Sequence, residues 1–152
     1  MAAQRTIISS IVFATFAFFT FFQFADVQAI SDMVIQDFND CKEENNMTES
    51  DLEQLKNKEI PDSRAAKCFL ACIMTRLDMM DGPRLNPEGS KGMISQIEDM
   101  ESDDREKLMT SIDECATIIT YGEGEEDECE NAVKISMCIS DKAVEKGVKP
   151  PT

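Results

Sequence analysis

Six cysteines are the residues in this chain best placed to do chemistry, and histidine, their usual helper, is absent. Cys68 and Cys72 lie four apart in Cys68-Phe69-Leu70-Ala71-Cys72. On a helix that spacing puts both thiols on one face, one turn apart. Neighbouring turns hold two thiols in poor geometry for bonding to each other, so each is available to a different distant element. Cys41 lies before them, and Cys115, Cys129 and Cys138 lie after. Without His the chain lacks the usual general base, the commonest metal ligand and the usual sensor of mild acid. Neither a nucleophile–base pair nor metal-ligand spacing is visible, so we expect no catalytic residue, no metal and no cofactor. The densest charge is Glu123 to Glu130, where six of eight residues are acidic. Its plain reading is a solvated loop feeding a helix N-terminus, where negative groups suit the helix dipole. The spaced ligands of a calcium loop are missing there, and also in Asp78-Met79-Met80-Asp81-Gly82.

The elements that position these cysteines begin after a leader. Met1 to Arg5 is short and positively charged, Thr6 to Ala25 is apolar, and Val27-Gln28-Ala29 offers small residues where a signal peptidase reads them. A membrane anchor is the competing reading, but no basic cluster follows Ala25 and acidic residues begin at Asp26. We therefore expect residues 1–29 to be a secretory signal peptide and residues 30–152 to be one domain. All six cysteines lie in that domain, and an even count in a short secreted chain reads as a disulfide framework. Seven of the nine Phe fall in the leader, so the core must be built from Met, Ile, Leu and Val. A net charge of −15 repels nucleic acid and anionic lipid surfaces. We expect no nucleic-acid partner and no stable membrane insertion once the leader is gone.

The domain reads as helix after helix, with no strand of any length and no internal repeat. Ser31 is a candidate cap for a first helix from Asp32 to Lys42, with Val34, Phe38 and Cys41 on one face. Thr48-Glu49-Ser50-Asp51 reads as a capping box for a second helix ending before Pro61. Asp62 or Ser63 starts a third, expected to reach about Met80. Asp81-Gly82-Pro83 would stop it, and Asn86-Pro87 would keep the chain in a loop. A fourth carries Met93, Ile94, Ile97 and Met100. Ser102 caps a fifth with Leu108, Met109, Ile112, Cys115 and Ile119. Gly122 and Gly124 interrupt, and a sixth begins near Asp127 and continues through Cys138.

The full spacing, Cys-x26-Cys-x3-Cys-x42-Cys-x13-Cys-x8-Cys, resembles that of the six-cysteine insect odorant-binding proteins. Their hallmark is three residues between the second and third cysteines and eight between the fifth and sixth. Both gaps are present, and the likeness covers nearly the whole domain. The thirteen-residue gap is long for the family and holds the acidic run. Saposin-like chains open with a close cysteine pair, plant lipid-transfer proteins carry eight cysteines, and secreted phospholipases and ribonucleases need a catalytic His. Six cysteines alone permit fifteen pairings. The resemblance implies Cys41–Cys72, Cys68–Cys129 and Cys115–Cys138, tying helix one to three, three to six and five to six.

The resemblance also implies an all-α fold, about six short helices around an apolar cavity held by three interlocked disulfides. In that family the residues two past the second and third cysteines line the cavity; here they are Leu70 and Met74. By offset from the cysteines, Met79, Met80, Met109, Ile112, Ile135 and Ile139 match further lining positions. The residues themselves offer compatible stripes: Leu70, Met74 and Leu77 on helix three, away from its cysteine face; Met109, Ile112 and Ile119 on helix five; Ile135 and Ile139 on helix six; Val34 and Phe38 on helix one. The plain reading of every stripe is ordinary core. Thr75 offers a hydroxyl to orient an alcohol or carbonyl, or else a bond back to its own helix.

The function implied is a secreted carrier of small hydrophobic molecules such as odorants or pheromones, without catalysis. It would act as a monomer or weak homodimer, with a membrane odorant receptor as a further partner. The alternative is a secreted salivary or venom-type interaction protein on the same scaffold, presenting its acidic surface to a cationic protein. Acid-driven release would have to use carboxylates such as Glu126, Asp127 or Glu128. Asn46-Met47-Thr48 is an N-glycosylation acceptor, although Thr48 also reads as a helix cap. Val144 and Val148, after the last cysteine, are candidates for part of a lid.

Overall fold

The computed structural model describes residues 33–57, 59, 62–122 and 127–148. The leader, the Ser31 cap, Gly124 and Glu126 lie outside the described residues. The chain divides into two units between Asn39 and Asp40. In the first, residues 33–39 are the opening turns of helix α1, which spans 33–44. There Val34 is half-buried, Phe38 is 41% exposed, and Met33 and Ile35 are more open still.

The second unit takes up the end of α1 and continues through α2 (Glu49–Lys56), α3 (Arg64–Arg76), the paired strands β1 (Met80–Asp81) and β2 (Arg84–Leu85), α4 (Pro87–Ser95), α5 (Ser102–Ile118) and α6 (Glu128–Glu145). Among the described residues the fold is all-α apart from that minimal antiparallel hairpin, in which Met80 pairs with Leu85 and Asp81 with Arg84. Among the described residues no helix is long and apolar enough to cross a membrane.

Local chemistry sets the helix ends. The Thr48 hydroxyl accepts from the Asp51 N–H, and the Asp51 carboxylate accepts from the Thr48 N–H, closing the expected capping box on α2. Ser63 caps α3, and Asp127 caps α6 by accepting from the N–H groups of Cys129 and Glu130. Three helices end on one device. Met47 N–H bonds to the Lys42 carbonyl, Met79 to Met74, and Val148 to Ala143, while Asn46, Asp78 and Gly147 take positive φ just before them. This is the Schellman stop, with a left-handed residue at the turn.

Four expected boundaries are corrected. Helix α3 ends at Arg76, because the chain turns at Asp78 before it reaches Gly82. Asn86 and Pro87 open α4: the Asn86 side chain accepts from Gly89 N–H, and Pro87 takes the first turn. Ile97 and Met100 fall beyond α4; their carbonyls, with that of Ile94 in its last turn, accept from the Arg105 guanidinium. Ser102 is the first residue of α5 instead of its cap, and Glu101 holds the cap position without a side-chain bond.

Helix α3 divides the interior. Ala66 and Phe69 join Cys41, Met47 and Leu52 in one apolar cluster, with Ile73 packed on it. Ala71 and Met74 join a second cluster with residues of the hairpin, α5 and α6. Full burial of a side chain such as Phe69 or Met74 contributes about 1.5–3 kcal/mol. The disulfides are Cys41–Cys72, Cys68–Cys129 and Cys115–Cys138, the pairing the family resemblance implies. They close sequence separations of 31, 61 and 23 residues. Chain entropy assigns each about 3.4–4.3 kcal/mol, an upper guide because crosslinks are not additive.

Candidate ligand-binding site

The second cluster gathers side chains from four elements. Ala71 and Met74 come from α3, Met80 and Leu85 from the hairpin, Cys115 from α5, and Ala132 and Ile135 from α6. The hairpin's two-residue period turns Met80 and Leu85 inward and Asp81 and Arg84 outward. Tyr121 pins it: its hydroxyl accepts from Leu85 N–H at 2.9 Å, and the Arg84 guanidinium lies 5.1 Å above its ring. Ser136 donates its hydroxyl hydrogen to the Met74 sulfur at 3.4 Å.

Around this cluster sit Leu70, Met79, Ile119 and Ile139. All four pack on it, and all four are only half-buried. They make up its rim in the sense that each packs on the cluster and still meets solvent in part. Of the residues singled out by sequence, Met74, Met80 and Ile135 are therefore in the cluster, and these four are on its rim. Ile112 is fully buried on α5 and Met109 half-buried. Leu77 is half-buried at the end of α3. Val34 and Phe38 lie in the first unit. Sequence reasoning missed Ala71, Leu85 and Ala132; the only available signal was that Leu85 follows the Gly82-Pro83 turn at strand register.

An open groove of about 400 Å3 runs over the disulfide side of α3. Cys68, Cys72 and Cys129 lie along it with Glu44, Asn45, Thr75, Arg76 and Glu128. Thr75 belongs to this groove, and Ala71 also lines it. Arg76 is paired with Asp40 and Glu44. Glu44 also comes within 3.5 Å of the Cys72 sulfur. The trio Cys41, Glu44 and Cys72 is close enough to suggest a metal site, but both sulfurs are spent in the disulfide, so no thiolate is on offer.

Beside the groove the N-termini of α3 and α6 carry opposite charges. Arg64 bonds to Asp127, and Lys67 reaches Asp62 at 3.0 Å and Glu130 at 3.1 Å. The Arg64 guanidinium holds the Asp127 carboxyl below its ordinary value, helped by the N–H groups of Glu130 and Cys129. Asp62 and then Glu130 raise the Lys67 ammonium. The exposed ends of these bridges are screened by water and add little to stability.

Known proteins resemble this chain in sequence and in fold. The sequence profile of the PBP/GOBP family matches residues 24–142. General odorant-binding protein 19d of Drosophila melanogaster is 30% identical over 112 residues, 73% of this chain and 72% of that protein. Among solved structures, odorant-binding protein dmelOBP28a from Drosophila melanogaster superposes with a TM-score of 0.65 at 24% identity, covering 80% of this chain and 98% of that one. The fatty acid binding protein OBP56a from the oral disk of the blowfly Phormia regina does so with a TM-score of 0.57 at 19% identity, covering 77% and 94%. At those identities the two structures speak to the fold.

Proposed function

We propose that this chain, which belongs to the PBP/GOBP family, is a secreted carrier that binds small hydrophobic molecules and moves them through aqueous fluid without transforming them. The observation that carries the reading is the rim of Leu70, Met79, Ile119 and Ile139, apolar side chains left half-open on an apolar cluster. A lipophilic ligand seated there would complete their burial. The methionines among the wall residues suit ligands of several shapes, because the thioether chain is flexible and polarisable. A ligand burying ~300 Å2 of its own surface gains ~7 kcal/mol before association costs, in keeping with micromolar binding and with release.

In this reading residues 1–29 direct export and residues 30–152 are the carrier. The chain holds no His, and no side-chain pair is assigned to catalysis. The related proteins named for odorants and for fatty acids indicate which ligands to try first.

The test is displacement of a fluorescent apolar probe from the disulfide-bonded protein by long-chain alcohols, esters, terpenoids and fatty acids. We expect micromolar displacement by a subset. Leu70→Ala and Ile139→Ala should each weaken it about tenfold, roughly the loss of one buried apolar side chain. Ile97→Ala, off the rim, should leave it unchanged. Failure of every apolar compound, together with salt-sensitive capture of a cationic protein, would move the reading to the acidic-surface alternative.

A further inference from the structure

We propose that Asn46 carries an N-linked glycan in the exported protein. The proposal rests on the export reading above. Asn46-Met47-Thr48 is the only Asn-X-Ser/Thr sequence in the chain, and it sits at the corner between α1 and α2. Each of its residues has a distinct geometric job there. Asn46 is the left-handed residue that ends α1, with φ of 53°. Met47 turns inward, 9% exposed, and packs in the cluster that also contains Leu52. Thr48 caps α2. Met47 and Leu52 thus form the apolar staple on either side of the cap.

The consequence is an alternation of direction. The middle residue is anchored in the interior, while Asn46 and Thr48 on either side are exposed. A sugar on the Asn46 amide would leave the fold without displacing any packed side chain. Asn45, next in the chain, lines the open groove, so the root of the glycan would stand at the edge of that groove.

The reaction needs a polyprenyl-diphosphate-linked oligosaccharide, the general donor of the secretory lumen. The Asn46 amide nitrogen bonds to the anomeric carbon of the first sugar. The bond from that carbon to the diphosphate oxygen breaks, the polyprenyl diphosphate leaves, and the nitrogen gives up one proton. The transfer acts on the unfolded chain, when the Thr48 hydroxyl is not yet held by Asp51. Cap and acceptor roles are therefore separated in time and do not compete.

The experiment is expression of the full chain, with its own N-terminus, in insect cells, with intact and peptide masses measured in medium and cell fractions. We expect secreted protein carrying a sugar increment on the peptide containing Asn46, removed by an amidase that converts Asn46 to Asp. Asn46→Gly keeps the left-handed turn and Thr48→Asp keeps the cap without creating a new acceptor; both should be secreted without the increment. Thr48→Ser keeps cap and acceptor and should retain the sugar. Secreted wild-type protein at its bare polypeptide mass would overturn the glycan and leave the export reading standing. A bare chain held inside the cells with its leader attached would overturn both.

Discussion

Asp51 shows how much one side chain can hold together. It is 5% exposed and accepts from the Thr48 N–H at 3.0 Å, the Thr48 hydroxyl at 2.6 Å and the Ser63 hydroxyl at 2.7 Å. One carboxylate thus joins the starts of α2 and α3. The Thr48 hydroxyl does most to hold it below its ordinary value, followed by the Ser63 hydroxyl and the Thr48 N–H. Asp127 is lowered too, chiefly by Arg64. A carboxyl lowered in the folded state contributes stability above its unfolded value, near ~3.9, and loses it as pH falls through the folded value. Urea midpoints should therefore be insensitive to these two groups from about pH 5 upward and fall below about pH 4. Asp51→Asn should flatten part of that acid limb. Thr48→Ala should cost about 1 kcal/mol at neutral pH, and Thr48→Asn only a small part of it. With no His in the chain, probe affinity should hold between about pH 5 and 7.5.

At the scale of elements, the join between α3 and α4 depends on a glycine. A Cβ on Gly89 would come within 1.8 Å of the Asp78 carbonyl oxygen. The first turn of α4 lies that close to the stop of α3, and the Asn86 amide bonds to the Asp78 carboxylate at 3.0 Å. Gly89→Ala should destabilise by about 1–3 kcal/mol, read from the urea midpoint. Gly92→Ala, whose Cβ meets open space, should be neutral or stabilising. The same join shows what was legible in sequence. The cysteine spacing pointed, through the family it resembles, to the disulfide frame; the Thr48 cap could be read, and the starts of α3 and α6 placed near Ser63 and Asp127, because the capping partners lie within three residues. The end of α3 could not, since Asp78 takes a left-handed turn that Gly82 seemed better suited to supply. Arg105 was equally hidden: it serves carbonyls five to eleven residues back, beyond any capping pattern. Periodicity also names the apolar face of a helix but not its depth. Met74 and Leu70 share one stripe, yet the first is 3% exposed and the second sits on the rim.

Residues 30–152 combine few aromatic rings, Phe38, Phe69 and Tyr121, with three crosslinks. Their interior contains methionines at 47, 74 and 80 and a single large ring, Phe69, among the described buried residues. Such a core gains from anything that fills its rim. An apolar ligand at 100 times its dissociation constant should add about 2.7 kcal/mol to stability and raise the melting temperature accordingly. Differential scanning calorimetry with and without a displacing ligand checks this. Replacing Cys68 and Cys129 together by Ser should cost about 2–5 kcal/mol and lower probe affinity, since α3 and α6 both supply wall residues.

That crosslink also differs from the other two in access. Each of the others has one fully shielded cysteine, Cys41 or Cys115, and one half-buried, Cys72 or Cys138, whereas Cys68 and Cys129 are both half-buried and both line the groove. This cystine thus offers a small reductant such as dithiothreitol two half-open cysteines where each of the others offers one, and thiol–disulfide exchange begins by attack on a sulfur. It is also the bond closing the longest loop, 61 residues. Alkylation at limiting reductant should tag positions 68 and 129 ahead of the rest. The weakest point under reducing conditions is thus the tie that spans the most chain, and failure of the scaffold should begin with α6 parting from α3.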